Sequence, residues 1–129
     1  MVNFSLRRLK MIGIDIVQND RIRKAIEKFG DRFINRIYTK KEIDYCNSQK
    51  DSIPCLSARW ACKEAVIKAV FQETGVLLKF KEVEVNGNRG MPARVVIRND
   101  KALKMLGEKR VIVSISHERN HSVAVAFIR

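Results

Sequence analysis

The chain is poor in the residues that interrupt regular structure, with two prolines and six glycines among its 129 residues. No linker, internal repeat or low-complexity stretch is visible, so one domain is expected. Cysteine is also scarce. Cys46, Cys55 and Cys62 are odd in number, and no two are separated by two residues. That argues against both a disulfide framework and a zinc knuckle. Three reduced, packing thiols in a cytoplasmic protein are the expectation. No apolar run approaches the ~20 residues that a membrane helix needs. Acid is under-represented, with 14 Asp+Glu against 26 Lys+Arg and a formal net charge of +12. The excess favours an acidic partner without saying which kind.

What is present suffices for a core. Apolar and aromatic residues make up 46% of the chain, which excludes a disordered polycation. Residues 1–10 are basic but lack the apolar centre of a signal peptide. The patterned fold starts at Met11, so residues 1–10 read as an N-terminal extension or expression remnant, and residues 11–129 as the domain.

The pattern alternates between helix and strand periods. Met11–Val17 reads as a strand interrupted by Asp15. Asn19 or Asp20 caps a helix to Phe29, and Gly30 ends it. Asp31 opens a short helical piece to Ile37. Thr39 and Glu42 form a capping box for another helix, toward Cys46, and 47–54 reads as a polar loop. Ser57 is the expected cap of the longest helix, Ala58 to about Glu73, with Gly75 beyond it. Ala58, Ala61, Ala65 and Ala69 give that helix one small-residue face. Phe80–Val85 and Ala93–Arg98 read as a hairpin around Asn86, Gly87 and Gly90. Asn99 or Asp100 caps a helix to Leu106. Val111–Ser116 and Ser122–Ile128 read as two more strands. The expected fold class is α+β, a mostly antiparallel sheet packed on one long helix plus shorter helices.

Four constellations carry possible chemistry. His117-Glu118-Arg119-Asn120-His121 fits the H-E-x-x-H string of zinc peptidases, which must lie on a helix to converge both imidazoles. Its flanks have strand composition, so a hairpin turn fits better. Glu64 and Lys68 share a helix face. They are either an exposed ion pair or an acid and a lysine that hold a cation and a phosphate oxygen. Asp15 sits inside an apolar strand. It either points to solvent at the strand end or meets Glu64 as a second carboxylate, as Mg²⁺ sites use. Arg21, Arg23, Lys24 and Lys28, followed by Arg32 and Arg36, form a basic stripe. That stripe is either a solvated face or a surface for an acidic helix or nucleic acid.

Taken together and in order, these fragments resemble the bacterial holo-[acyl-carrier-protein] synthases, small 4′-phosphopantetheinyl transferases. The resemblance spans about Met11 to Ile128. It rests on Gly13-Ile14-Asp15-Ile16, on Arg36-Ile37-Tyr38-Thr39 with Glu42, and on Ala58-Arg59-Trp60-Ala61-Cys62-Lys63-Glu64-Ala65 with Lys68 and Ala69. Gly90-Met91-Pro92 and Ser114-Ile115-Ser116-His117 extend it. It implies transfer of the 4′-phosphopantetheine arm of coenzyme A to a serine of apo acyl carrier protein, giving 3′,5′-ADP, in support of fatty acid biosynthesis. Mg²⁺ is the implied cofactor, with Asp15 and Glu64 as ligands. Lys68 would neutralise the transferred phosphate; the serine proton would go to a carboxylate or a metal-associated water, with Glu64, directly or through water, as the preferred candidate. His117 would meet the nucleotide's 3′-phosphate or ribose, with Arg59 and Lys63 as further phosphate contacts. Arg21, Lys28, Arg32 and Phe33 match the carrier-protein docking surface. The resemblance further implies a cytoplasmic homotrimer with active sites between subunits, and neither nucleic acid nor membrane as partner. The chain departs from the family at Phe71-Gln72-Glu73-Thr74-Gly75, where Gly-Thr-Gly is common, and at Trp60, Met91, Glu118 and His121.

Overall fold

The computed structural model describes residues 11–88 and 90–129; the expected extension, residues 1–10, lies outside them. The elements run β1 (Ile12–Gln18), α1 (Asn19–Phe29), α2 (Asp31–Ile37), α3 (Lys40–Asn47) and α4 (Ser52–Thr74). A 3₁₀ turn (Phe80–Glu82), β2 (Val83–Asn86), β3 (Arg94–Ile97), α5 (Asp100–Leu106), β4 (Val111–His117) and β5 (His121–Ile128) follow. The α+β class and the antiparallel pairing are as expected, but the strands divide into two sheets. One has the order β1-β5-β4 and the other pairs β2 with β3.

The three-stranded sheet lies against α4, and its register explains how. Gly13 pairs with Ala126, Asp15 with Ala124, and Val17 with Ser122. These residues form the inner face, and most of their side chains are small. They let α4 approach with Ala61, Ala65 and Ala69 fully buried. Gly13 marks the tightest point: a Cβ there would lie 1.9 Å from the Ala65 carbonyl oxygen. The outer face alternates with it and carries Ile12, Ile14 and Ile16, all exposed.

The long helix starts six residues before the expected Ala58. Its cap is Asp51, which accepts from the Ile53 N–H at 3.0 Å. Pro54 falls in the first turn, where helical N–H groups have no intrahelical acceptor, so it is tolerated. Ser57, the expected cap, is instead buried inside the helix. At the far end Gly75 takes the left-handed conformation, φ 76°, and its N–H reaches the Phe71 carbonyl. Asn19 is not a cap either, since α1 begins without a side-chain cap bond. The Thr39–Glu42 capping box is present, with both of its bonds.

The expectation of three free thiols is corrected. Cys46, in the last turn of α3, is disulfide-bonded to Cys55, in the first turn of α4; only Cys62 is free and it is buried. The early start of α4 leaves a short connection between the two helices, which brings the thiols together. Burial pushes the Cys62 thiol up to about 12, so it packs as a small apolar side chain.

Candidate functional site

The inner face of β1 delivers one acid to α4. Asp15 is flanked on that face by Gly13 and Val17, so it points at the helix and not into solvent. Its Oδ1 lies 3.1 Å from Lys68 Nζ, and the same ammonium donates to the Ile14 carbonyl at 3.2 Å. Glu64 is one turn earlier on the α4 face that carries Lys68. Burial and then the Asp15 carboxylate push the Glu64 carboxyl above its usual range, with Lys68 opposing. Asp15, Glu64 and Lys68 therefore form one cluster from two elements. A carboxylate whose proton affinity is raised by a neighbouring carboxylate fits a divalent cation between the two, because the cation removes the repulsion. No group of three or more His, Cys, Asp or Glu suited to a metal occurs among the described residues. A hard cation here would therefore take oxygens from water and phosphate as well.

Arg59 and His117 line a different part of the molecule, a cleft of about 640 Å³ between α4, the β2–β3 connection and the end of β4. Tyr45, Ala58 and Ser114 are also in its wall. Arg59 is 8% exposed. It donates from Nη2 to the Gly87 carbonyl at 3.1 Å and from Nη1 to Cys55 Sγ at 3.2 Å, and it stacks over the Tyr45 ring at 4.8 Å. Its Nε–H has no hydrogen-bond partner among the described residues. That nitrogen is itself buried, so what Arg59 brings to the cleft wall is its positive charge.

Two of the expected site residues lie elsewhere. Lys63 does not face a cleft: it is fully buried, 2.8 Å from Glu42 Oε1, and donates to the Phe80 and Val83 carbonyls. Its three N–H donors are all used, so none is free for phosphate. Burial lowers the Lys63 ammonium and the Glu42 carboxylate opposes that shift. Phe33, expected at the docking surface, is partly buried. It stacks on Trp60 at 5.8 Å, and Trp60 stacks on Phe80 at 4.7 Å. Trp60, where the family favours phenylalanine, is the middle of this aromatic stack.

Arg21, Lys28 and Arg32 are exposed on α1 and α2, as the stripe requires. The apolar residue that accompanies them is Phe29, half-exposed under the Lys28 ammonium at 5.3 Å. The H-E-x-x-H string is a hairpin turn: His117 ends β4, His121 begins β5, and His121 Nδ1 lies 2.9 Å from Glu118 Oε1. Sequence reading missed the roles of Asn19 and Glu42. Each was read as a local cap, and nothing in a local pattern signals a partner dozens of residues away.

The 4′-phosphopantetheinyl transferase superfamily model matches residues 11–126. A holo-[acyl-carrier-protein] synthase of Aquifex aeolicus is 56% identical over 119 residues, covering 92% of this chain and 98% of the relative. One from Chlamydia trachomatis is 45% identical, covering 89% and 95%. Among solved structures, the Helicobacter pylori holo-[acyl-carrier-protein] synthase in complex with coenzyme A superposes with a TM-score of 0.77 at 26% identity, covering 92% of this chain and all of that one.

Proposed function

The chain belongs to the 4′-phosphopantetheinyl transferase superfamily, and from that premise we propose how its residues move the 4′-phosphopantetheine arm of coenzyme A onto apo acyl carrier protein in the cytoplasm. The observation that carries the reading is the convergence of Asp15, Glu64 and Lys68 from β1 and α4. The nucleotide end of coenzyme A occupies the Arg59–His117 cleft, with the Arg59 guanidinium in its wall as the positive charge that attracts phosphate. The pyrophosphate lies against Asp15, Glu64 and Lys68.

Asp15 and Glu64 are the residues that would hold Mg²⁺, which supplies charge neutralisation to the phosphate oxygens when bound. Lys68 adds a point charge to the transferred phosphoryl group. The carrier-protein serine oxygen bonds to the phosphorus that carries pantetheine. The bond from that phosphorus to the bridging oxygen breaks, and 3′,5′-ADP leaves with the electron pair. The serine proton goes to Glu64, directly or through one water. Its raised proton affinity suits it to that task. Positioning and charge neutralisation are what phosphoryl transfer asks of a protein.

The exposed basic residues Arg21, Lys28 and Arg32, with Phe29 beside them, are the surface for the acidic carrier protein. The outer face of the sheet supports a homotrimer. Ile12, Phe127 and Ile112 lie in one cross-strand row, Ile14 and Val125 in the next, and Ile16 and Val123 in the third. An apolar patch of this kind on a small domain calls for a partner surface, and a second and third copy would bring catalytic residues of one subunit near the cleft of another.

Incubation with coenzyme A, Mg²⁺ and apo acyl carrier protein tests the reading by mass spectrometry. The carrier protein gains one phosphopantetheine arm, and Asp15→Asn reduces the rate at least a hundredfold. An unmodified carrier protein, or full activity of Asp15→Asn, overturns it.

A further inference from the structure

Asn19 sits at the junction of β1 and α1 and is 5% exposed. Its side-chain amide offers two donors and an acceptor with two lone pairs, and all four are used. Nδ2 donates to the Glu118 carbonyl at 3.2 Å and the Arg119 carbonyl at 3.3 Å. Oδ1 accepts from Ser57 Oγ at 2.7 Å and Ser122 Oγ at 2.8 Å. Carbonyls accept only, so the amide nitrogen must face the turn. The Asn19 backbone N–H adds a bond to the Asn120 carbonyl at 2.8 Å.

These partners bracket His117. Glu118 and Arg119 follow it directly, and Ser122 is its cross-strand partner. Ser57 lies two residues before Arg59 on α4. One buried amide thus ties α4, which carries Arg59 in one wall of the cleft, to the β4–β5 turn that directly follows His117 in the other. We infer that Asn19 is a positioning residue for the nucleotide half of coenzyme A, acting by holding the hairpin turn so that His117 faces the cleft opposite Arg59. The inference rests on the reading that this cleft binds the nucleotide.

The test is a double-mutant cycle on 3′,5′-ADP binding, measured by titration calorimetry. Asn19→Asp keeps the acceptor for both serines but sets a carboxylate oxygen against two carbonyls, so it releases the turn selectively. Asn19→Asp and His117→Ala each weaken binding about tenfold, and the double variant binds no more weakly than either, as for residues that act as a unit. In steady-state kinetics Asn19→Asp raises KM for coenzyme A and leaves KM for the carrier protein unchanged. Additive losses in the cycle, or equal rises in both KM values, overturn the inference while the cleft reading stands. Wild-type affinity in His117→Ala overturns the part of that reading that involves His117, and the inference with it. If Asn19→Asp does not fold, Ser122→Ala removes a single bond of the clamp and takes its place in the cycle, with the same non-additivity expected and the same additivity overturning the inference.

Discussion

Burial and the neighbouring Asp15 carboxylate both hold a proton on Glu64 more tightly than in an unfolded chain, and Lys68 opposes them. A carboxyl raised in this way binds more protons folded than unfolded. Its contribution to stability is therefore lost as pH rises from the ordinary carboxylate range through the raised value. At neutral pH the charged Glu64 works against the fold while serving the chemistry. Glu64→Gln is accordingly expected to abolish transfer and to leave the melting temperature at pH 7 unchanged or higher. Added Mg²⁺ raises the melting temperature of the wild type by mass action and does not raise that of the variant. A Glu64→Gln melt well below wild type, or an equal Mg²⁺ shift in both, counts against this account. Asp15 and Glu64 were legible in the sequence because a carboxylate inside an apolar strand or among packed alanines breaks the local pattern. Lys63 was not. It is adjacent to Glu64, but one residue along a helix is about 100° around it, and that rotation takes Lys63 to Glu42 in the core.

The elements were readable where their signals are local. The Thr39–Glu42 capping box, the Asn99 cap and the Gly75 stop all appear where the residues indicate. They were misread where tertiary contacts decide, as at Asn19 and Ser57, whose polar groups bond to each other and not to helix ends. The packing of α4 on β1 depends on one missing side chain. Gly13→Ala places a methyl group 1.9 Å from Ala65 O and 3.0 Å from the Ala69 nitrogen; backbone cannot yield as a side-chain tip can. The expected cost is about 3 kcal/mol, the upper range of overpacking, measured as a lowered urea midpoint with an unchanged slope. The Cys46–Cys55 bridge joins α3 to α4 across a sequence separation of 9. Closing so short a loop restricts the unfolded chain by about 2–3 kcal/mol on the loop-entropy account. Dithiothreitol should therefore lower the urea midpoint of the wild type and leave that of Cys46→Ser/Cys55→Ser unmoved. Equal behaviour of the two proteins would mean that the bridge does not form in solution.

At the scale of the whole molecule, two surfaces with opposite chemistry are exposed among the described residues. One is the basic stripe of α1 and α2, which accounts for part of the +12 net charge and suits an acidic partner bound with salt-sensitive affinity. The other is the outer face of the β1-β5-β4 sheet, where Ile14 and Ile16 are 63% and 65% exposed. Leaving these side chains in water forgoes roughly 1.5–3 kcal/mol each relative to burial, and neither takes part in the core on the α4 side. The alternation of β1 separates the two roles residue by residue: Ile14 and Ile16 face outward, and Asp15 between them faces Lys68. A substitution at Ile14 can therefore disturb assembly without touching the carboxylate cluster. Ile14→Arg sets a charge in the middle of the apolar face, where burial against another subunit would leave it unpaired. The wild type is expected to sediment at three times the chain mass, and Ile14→Arg as a monomer with unchanged far-ultraviolet circular dichroism. Transfer activity should fall with assembly, because each site then lacks the neighbouring subunit's contribution. A monomeric wild type, or a trimeric and fully active Ile14→Arg, would remove the sheet face as the subunit interface and leave the Asp15–Glu64–Lys68 chemistry to stand within one chain.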